Sequence, residues 1–225
     1  LYRRAMCGGV RSEAWAGTYG AVPGLPPEMA ERAKLNVIWG NNATVANLHL
    51  VRRVRRSMRN GGKMIVVDPK RTKIAEQADL FLQLKPGTDV LLAFALAVEL
   101  DRLGAIDRNF VAANVLGYEA FMERARDWPL EKAAAECGLE AQDIRRCASW
   151  MAELTPFVLS LGNGLERNRN GGSGIRAAIL LPALLGKFGE KGGIVLGAGN
   201  AFPKTMAKLQ RPDLVPAGTR TLNIL

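Results

Sequence analysis

The sequence has few of the residues that commonly bind metals. Its 225 residues include three cysteines and one histidine. The cysteines, Cys7, Cys137 and Cys147, are far apart and show no Cys-x-x-Cys spacing, whereas zinc sites and iron–sulfur clusters use closely spaced cysteine pairs. This pattern argues against a structural zinc or an iron–sulfur cluster held within the chain. We expect Cys137 and Cys147 to be small buried apolar residues.

Long apolar runs and aromatic residues are also scarce. Arg, Lys or Pro interrupts each apolar stretch before it is long enough to span a bilayer, so we expect no transmembrane segment. Aromatic residues make up 6% of the chain, and none interleaves with the densest basic cluster, Arg52, Arg53, Arg55 and Arg56. The net charge of +10 is compatible with attraction of a pyrophosphate, and equally with a solvated arginine-rich helix face. No nucleic-acid-binding motif is present, so we expect no nucleic-acid partner.

Short apolar runs alternate with segments of helical character. Runs that are rich in β-forming residues and almost free of charge are typical of strands covered on both faces. The alternation predicts an α/β fold with a Rossmann-like, doubly wound, mostly parallel sheet. Residues 105–153 depart from it and predict a helical insertion of four helices, while residues 189–199 indicate a glycine-rich turn region. The predicted strands are 36–39, 63–67, 80–84 and 157–161, and the other predicted helices are 44–60, 90–103 and 171–186.

Four polar or glycine-containing segments follow the predicted strands. They are residues 39–42, 66–69, 86–89 and 162–164. Because the carboxyl ends of parallel strands meet at one edge of a sheet, these segments predict a nucleotide-shaped binding site. Taken singly, they have simpler explanations: Asp68 and Pro69 are compatible with strand termination, and Thr88 or Asp89 with a helix cap.

Cys7 has unusual neighbours, because two glycines follow it directly. Small residues after a cysteine leave its sulfur accessible to a bulky partner, as a reactive or metal-binding thiolate requires. A lone cysteine is equally compatible with a structural role.

These segments together resemble the molybdopterin oxidoreductases. That family comprises molybdenum or tungsten enzymes with a bis-(molybdopterin guanine dinucleotide) cofactor, among them formate dehydrogenases, nitrate reductases and dimethyl sulfoxide reductases. The resemblance runs from Cys7 to Asn223, in the family's order and near its spacings. It is carried by Cys7 with Thr18-Tyr19-Gly20, Ile38-Trp39-Gly40-Asn41-Asn42, Asn47-Leu48-His49, Val67-Asp68-Pro69 with Thr72, Leu84-Lys85-Pro86-Gly87-Thr88-Asp89, Gly162-Asn163-Gly164, Asn170-Gly171-Gly172 and Leu181-Pro182-Ala183-Leu184-Leu185-Gly186.

The resemblance implies a role for each matching residue. Cys7 stands at the position of the protein ligand to the metal, and is the one catalytic candidate. The segment 40–42 would approach a pyrophosphate, Asp68 would bind ribose or guanine, and Asp89 would accept hydrogen bonds from guanine. The segments 162–164 and 170–172 either line the pterin or only form tight turns. The candidate cofactor-binding residues are Trp39, Gly40, Asn41, Asn42, His49, Asp68, Pro69, Thr72, Pro86, Gly87, Asp89, Gly162, Gly164, Asn170 and Gly171.

The resemblance also implies parts that this chain lacks. Family members begin with cysteines that bind an iron–sulfur cluster, and a further portion of the catalytic subunit completes the cavity. Leu1 and the apolar end at Leu225 are typical of a piece cut from a longer protein. We therefore expect an iron–sulfur cluster in a missing N-terminal region, and as partners the rest of the subunit, an iron–sulfur electron-transfer subunit and a small-molecule substrate.

The implied function is two-electron redox of a small molecule, with the isolated chain inactive. Gly8 stands where formate dehydrogenases typically have histidine, so formate oxidation is not supported. Two alternatives stay open, a binding module for an ordinary nucleotide and a noncatalytic scaffold. The first lacks a Gly-x-Gly-x-x-Gly segment. The compartment is open between cytoplasm and periplasm. We divide the chain into an N-terminal segment 1–34, a cofactor-binding domain 35–200 and a connecting segment 201–225.

Overall fold

The fold is built on one sheet of five parallel strands. The structure, a computed structural model, describes residues 8–20, 22–196 and 211–220. The sheet has the order β3-β2-β1-β4-β5. Strands β2 and β3 lie on one side of β1, and β4 and β5 lie on the other, so the strand order reverses between β1 and β4. The strands are β1 (Leu35–Trp39), β2 (Lys63–Val67), β3 (Leu80–Leu82), β4 (Phe157–Leu161) and β5 (Gly192–Leu196).

Helices cover both faces of this sheet. Side chains of a strand alternate between the two faces, and β1 shows it clearly. Val37 and Trp39 belong to the larger apolar cluster, whereas Ile38 belongs to the smaller cluster on the other face. This explains why the strands have no polar face, and the prediction of a doubly wound α/β fold is confirmed. The helices are α1 (Gly9–Tyr19), α2 (Ala43–Ala46), α3 (Leu48–Arg59), α4 (Asp89–Arg102), α5 (Arg108–Asn114), α6 (Tyr118–Arg126), α7 (Leu130–Cys137), α8 (Ala141–Glu153) and α9 (Gly171–Leu184).

Helix α4 is the centre of the larger apolar layer. It contacts α9 on one side and α6, α7 and α8 of the predicted insertion on the others. Its Leu92, Leu96 and Leu100 are fully buried. The four helices predicted between the third and fourth strands are confirmed as elements, and they pack on the apolar core of the sheet. The division of the chain into three segments stays a prediction.

The prediction of a turn region over 189–199 was wrong. Residues 192–196 form β5, which pairs with β4 along its whole length. A Cβ at position 192 would lie 1.8 Å from the carbonyl oxygen of Phe157, so a glycine is needed where the two strands begin. Glycine is rare inside strands, and its presence here concealed the strand.

The prediction of one helix over 44–60 was also wrong. The chain breaks at Asn47, where the Asn47 side chain accepts a hydrogen bond from the Leu50 N–H at 3.3 Å. Asparagine is a favoured N-cap residue, so α3 starts afresh there. Val45 and Leu48, which share the helical spacing of the buried Val51 and Val54, are 75% and 64% exposed.

The segment before β1 contains a helix that the sequence did not predict. Helix α1 packs against α9, with Trp15 buried and the Tyr19 hydroxyl donating a hydrogen bond to the Ile179 carbonyl. Burial raises the pKa of Tyr19 above its ordinary range. Within the described part of the chain, no helix combines the length and apolar character that crossing a bilayer requires.

Candidate functional site

The loops after β1 and β4 meet at the point where the strand order reverses. The Gly162 N–H donates to the Trp39 carbonyl at 2.8 Å, and the Gly164 N–H donates to the Gly40 carbonyl at 3.1 Å. A Cβ at position 162 would lie 2.0 Å from the Gly40 oxygen. These glycines therefore let two backbones touch, and the ends of β1 and β4 flank the crevice in which open α/β sheets bind ligands.

Gly40 is the pivot of the loop after β1. Its φ is +58°, which favours glycine, and a Cβ there would meet the Leu165 side chain at 2.3 Å. The Gly40 N–H donates to the Val67 carbonyl at 2.8 Å, so this loop is also tied to the end of β2. The neighbouring Asn41 is 8% exposed, and its amide donates to the Ser160 hydroxyl of β4 at 3.4 Å.

A buried carboxylate lies at the start of α4. The Trp39 indole N–H donates to Asp89 Oδ1 at 2.8 Å, and both side chains are buried. Burial raises the pKa of Asp89, the Trp39 hydrogen bond opposes that rise, and the charge of Asp68 adds to it. Thr88 occupies the N-cap position without a side-chain cap. Of the two capping candidates, Thr88 thus holds the N-cap position, whereas the Asp89 carboxylate accepts from Trp39 and from the backbone N–H of Asp89 itself.

Asp68 follows β2 and is also buried, at 8% exposure. Its Oδ1 accepts from the Lys70 N–H at 2.8 Å, and its own N–H donates to the Leu82 carbonyl of β3 at 3.2 Å. Burial is the main cause that raises the pKa of Asp68, and the Lys70 contacts oppose it. Two carboxylates that are costly to ionise thus occur in neighbouring loops.

Thr72 lies beyond Asp68 and is 6% exposed. Its hydroxyl is buried and finds no hydrogen-bond partner among the residues that the structure describes. Buried hydroxyls without partners are rare in native folds and call for an explanation such as a ligand.

The loops after β3 and β4 complete the crevice. Gly87 has φ +83°, and a Cβ there would lie 3.7 Å from Asn168 Oδ1. A Cβ at Gly174, in the first turn of α9, would lie 3.1 Å from the Asp89 Cβ. The N-termini of α4 and α9 are therefore adjacent, an arrangement that favours an anion. A Cβ at Gly171 would lie 2.5 Å from the Leu165 carbonyl oxygen. This close contact favours the tight-turn explanation for Gly171.

Some candidates lie apart from these contacts. The side chains of Asn42, Pro69 and His49 are exposed, with Asn42 Oδ1 accepting from the Thr44 hydroxyl at 3.1 Å and His49 on the first turn of α3. Their roles stay predictions. Cys7, the candidate metal ligand, lies outside the described residues.

The basic cluster on α3 is partly neutralised. Arg53 forms ion pairs with Glu28 at 3.1 Å and Glu31 at 2.9 Å, and Arg56 pairs with Glu31 at 3.2 Å. The Arg53 hydrogen bond is the largest cause that lowers the pKa of Glu31, and Arg56 adds to it. These pairs support the interpretation of the cluster as a solvated helix face.

Three residues in contact with the crevice were missed by sequence reasoning. Ser160 holds Asn41, Asn168 lies against Gly87, and Glu166 accepts hydrogen bonds from the first turn of α1. The signal that could have indicated Glu166 is a charged residue inside a glycine- and asparagine-rich loop.

A separate cavity lies elsewhere among the described residues, with a volume of about 1010 Å³. Its lining includes seven aromatic side chains, those of Trp15, Tyr19, Phe94, Phe110, Tyr118, Phe121 and Phe188. None of the candidate cofactor-binding residues lines it. Because a nucleotide needs convergent polar groups, we place the candidate site in the crevice rather than in this cavity.

Comparisons with known proteins identify the family of this chain. The family model described as molybdopterin oxidoreductase matches residues 18–211. The chain is 33% identical over 224 residues to the Probable oxidoreductase YoaE of Bacillus subtilis (strain 168), covering 98% of this chain and 33% of that protein. It is 32% identical over 171 residues to the Acetylene hydratase of Syntrophotalea acetylenica, covering 76% of this chain and 23% of that protein.

A solved structure also has a similar fold. The structure of Acetylene Hydratase from Pelobacter acetylenicus superposes with a TM-score of 0.73 at 29% sequence identity, covering 82% of this chain and 25% of that one. The chain thus spans a third or less of the length of these relatives. The family match over most of the chain confirms the resemblance found in the sequence, and the protein belongs to the molybdopterin oxidoreductase family.

Proposed function

We propose that the crevice binds the guanine dinucleotide end of a bis-(molybdopterin guanine dinucleotide) cofactor carrying molybdenum or tungsten. In this proposal the chain is the cofactor-binding portion of an oxidoreductase that catalyses two-electron redox of a small molecule. The observation that carries it is the meeting of the loops after β1, β2, β3 and β4 around the buried Asp89 carboxylate.

The residues present fit such a group. A guanine edge presents N–H donors, which a carboxylate accepts. Asp68 and Asp89 are buried carboxylates whose pKa values are raised by burial, so donors from a ligand would offset the cost of their charge. The partnerless Thr72 hydroxyl offers a further polar contact. The backbone at Gly40 has a positive φ and packs closely against Leu165, a combination that glycine accommodates.

The chain's own residues then divide by task. Asp89 accepts hydrogen bonds from guanine while Trp39 fixes its orientation, and Asp68 binds ribose or guanine. Gly40, Asn41 and Asn42 approach the pyrophosphate, and the N-terminus of α9 favours its negative charge. When bound, the cofactor supplies the two-electron chemistry at its metal, with Cys7 as the proposed protein ligand. The proposed walls of the site are Asn41, Asn42, His49, Pro69, Pro86, Gly87, Gly162, Gly164, Asn170 and Gly171.

The substrate cavity needs parts beyond this chain. Because the chain spans a third or less of the relatives it matches, the proposal includes the remainder of a catalytic subunit, an iron–sulfur cluster and an electron-transfer subunit as partners. We expect the isolated chain to show no turnover.

The test is metal and nucleotide analysis of the longer protein that would contain this chain, which we call the natural polypeptide. The proposal predicts stoichiometric molybdenum or tungsten, and guanine nucleotide released by mild acid. A Cys7→Ser variant is expected to change the metal's X-ray absorption spectrum and to abolish turnover. The control is Cys137→Ser, since the thiol of Cys137 donates to the Thr88 carbonyl at 3.6 Å and a hydroxyl can do the same. Protein that contains neither metal nor guanine would support a noncatalytic nucleotide-binding or scaffold module instead.

The reaction class needs a second measurement. One relative is named as a hydratase and another as an oxidoreductase, so the family alone does not fix the reaction. The redox proposal predicts that turnover stops without an electron donor or acceptor. Substrate conversion that proceeds unchanged without either would contradict it.

A further inference from the structure

Glu166 joins two parts of the chain that are far apart in sequence. Its Oε1 accepts a hydrogen bond from the Gly8 N–H at 2.8 Å, and its Oε2 accepts one from the Arg11 N–H at 3.1 Å. Glu166 as a whole is 7% exposed. Gly8 is the N-cap of α1 and Arg11 lies in its first turn, so one side chain satisfies two N–H groups that a helix end leaves unpaired.

A cap from so distant a residue is unusual, because helices are normally capped by their own N-cap side chain. Here the N-cap is Gly8, which has φ +84° and no side chain to contribute. The loop after β4 supplies the cap instead. A carboxylate at this end of the helix is also favoured by the helix dipole.

The position of this cap matters because of what precedes Gly8. The Gly8 N–H belongs to the peptide unit that bonds to Cys7, and a peptide unit is planar. Fixing that N–H therefore restrains the residue that directly follows Cys7 in the sequence. The loop that carries Glu166 also carries Gly162 and Gly164, which hold the loop after β1.

We propose that Glu166 is a positioning residue that holds Gly8, the residue next to the proposed metal ligand Cys7 in the sequence, relative to the dinucleotide crevice. The inference rests on the proposed function only for the role of Cys7 as metal ligand. It adds a specific link, from the β4 loop to the metal ligand, that the proposed function does not contain.

Packing around Glu166 leaves the loop little freedom. A Cβ at Gly171 would lie 2.7 Å from the Glu166 Cα, so the start of α9 presses directly on the backbone that carries the carboxylate. The Leu165 side chain meets Gly40 on the other side. A displacement of the α1 terminus would therefore have to move α9 or the β1 loop.

The first experiment uses the unmodified sequence and no cofactor. Amide hydrogen exchange, followed by NMR, is expected to be slower at Gly8 and Arg11 than intrinsic rates by about tenfold or more, as hydrogen bonds to a charged acceptor imply. In Glu166→Gln at least one of these two amides should exchange faster by a similar factor, because the glutamine side chain keeps one accepting oxygen and replaces the other with an NH2 donor. Unprotected amides in the unmodified protein would overturn the proposal.

The second experiment examines the metal in the natural polypeptide. Glu166→Gln is expected to shift the metal's electron paramagnetic resonance signal and its midpoint potential, while guanine content stays unchanged. Glu119→Gln is the matched control, because Glu119 is an exposed carboxylate in the first turn of α6. It should alter neither property.

The outcomes separate this inference from the proposed function. Absence of guanine and metal from the unmodified protein defeats the proposed function, and the exchange measurement still tests the Glu166 cap. A Cys7-dependent metal signal that is identical in Glu166→Gln defeats the positioning role alone. If Glu166→Gln fails to fold, Glu166→Asp replaces it: its shorter carboxylate should expose at least one of the two amides and shift the signal in the same direction.

Discussion

Lys187 and Asp89 are both buried charged residues, and they differ in what surrounds them. The Lys187 ammonium donates to the carbonyl oxygens of Met151, Ala152 and Leu154 at 2.6, 3.0 and 2.9 Å. These carbonyls lie at the C-terminal end of α8, where a cation is favoured. Asp89 has the Trp39 indole as a donor, and the nearby carboxylate of Asp68 raises its pKa further.

This difference in surroundings indicates that the Lys187 charge is structural, whereas the Asp89 charge is available to a ligand. Burial and the charge of Lys191 lower the pKa of Lys187 to about 8, but three carbonyl oxygens at hydrogen-bond distance favour the ammonium form, so the group is charged and satisfied at neutral pH. Asp89 carries a cost in the same fold, since burial raises its pKa. A buried charge whose free-energy cost is not offset within the fold is typical of a binding site.

The largest effect is expected at the satisfied site. Lys187→Met keeps the length of the side chain but leaves three buried carbonyls without their donor, and should lower the free energy of unfolding by about 3 kcal/mol. Chemical denaturation measures it. Lys191→Met removes an exposed charge nearby and should change stability by less than about 0.5 kcal/mol. Equal stability of the two variants would remove the contrast drawn between Lys187 and Asp89.

The opposite sign is expected at Asp89. Asn keeps an oxygen that can accept from the Trp39 indole and removes the buried charge, so Asp89→Asn should stabilise the cofactor-free chain by about 1 kcal/mol at neutral pH. The same change should reduce the guanine nucleotide retained by the natural polypeptide. A variant that is less stable than the unmodified chain would show that the Asp89 charge is already compensated within the fold.

The stabilising effect of Asp89→Asn should depend on pH. Because the folded-state pKa of Asp89 is raised above its ordinary value, its contribution to stability is fully present below the unfolded-state pKa and is lost as pH rises through the folded-state pKa. The difference between Asp89→Asn and the unmodified chain should therefore be small near pH 4 and grow towards pH 7. Denaturation curves at both pH values measure it, and a difference that shrinks as pH rises would contradict the sign.

Much of this site could be predicted because its residues follow strands. The apolar runs located β1, β2, β3 and β4, and the rule that ligands bind at their carboxyl ends then pointed to Asp68 and Asp89. The rest depended on contacts distant in sequence. The hydrogen bonds between Glu166 and the N-terminus of α1 have no local signature. Strand β5 was concealed by two glycines, and the break at Asn47 by an apolar pattern that continued through it.

The smallest effect is expected at Thr72, where the contrast between satisfied and unsatisfied groups can be tested on a neutral hydroxyl. Thr72→Val removes a buried hydroxyl with no partner among the described residues, so the cofactor-free chain should gain about 0.5 kcal/mol or stay unchanged. Thr18→Val is the matched control, because the Thr18 hydroxyl donates to the Ala14 carbonyl at 2.7 Å and should lose about 0.5 to 1 kcal/mol without it. Retained guanine should fall only in Thr72→Val. If Thr72→Val destabilises the chain as much as Thr18→Val does, the Thr72 hydroxyl already has a hydrogen-bond partner within the fold. It would then not be a candidate ligand contact.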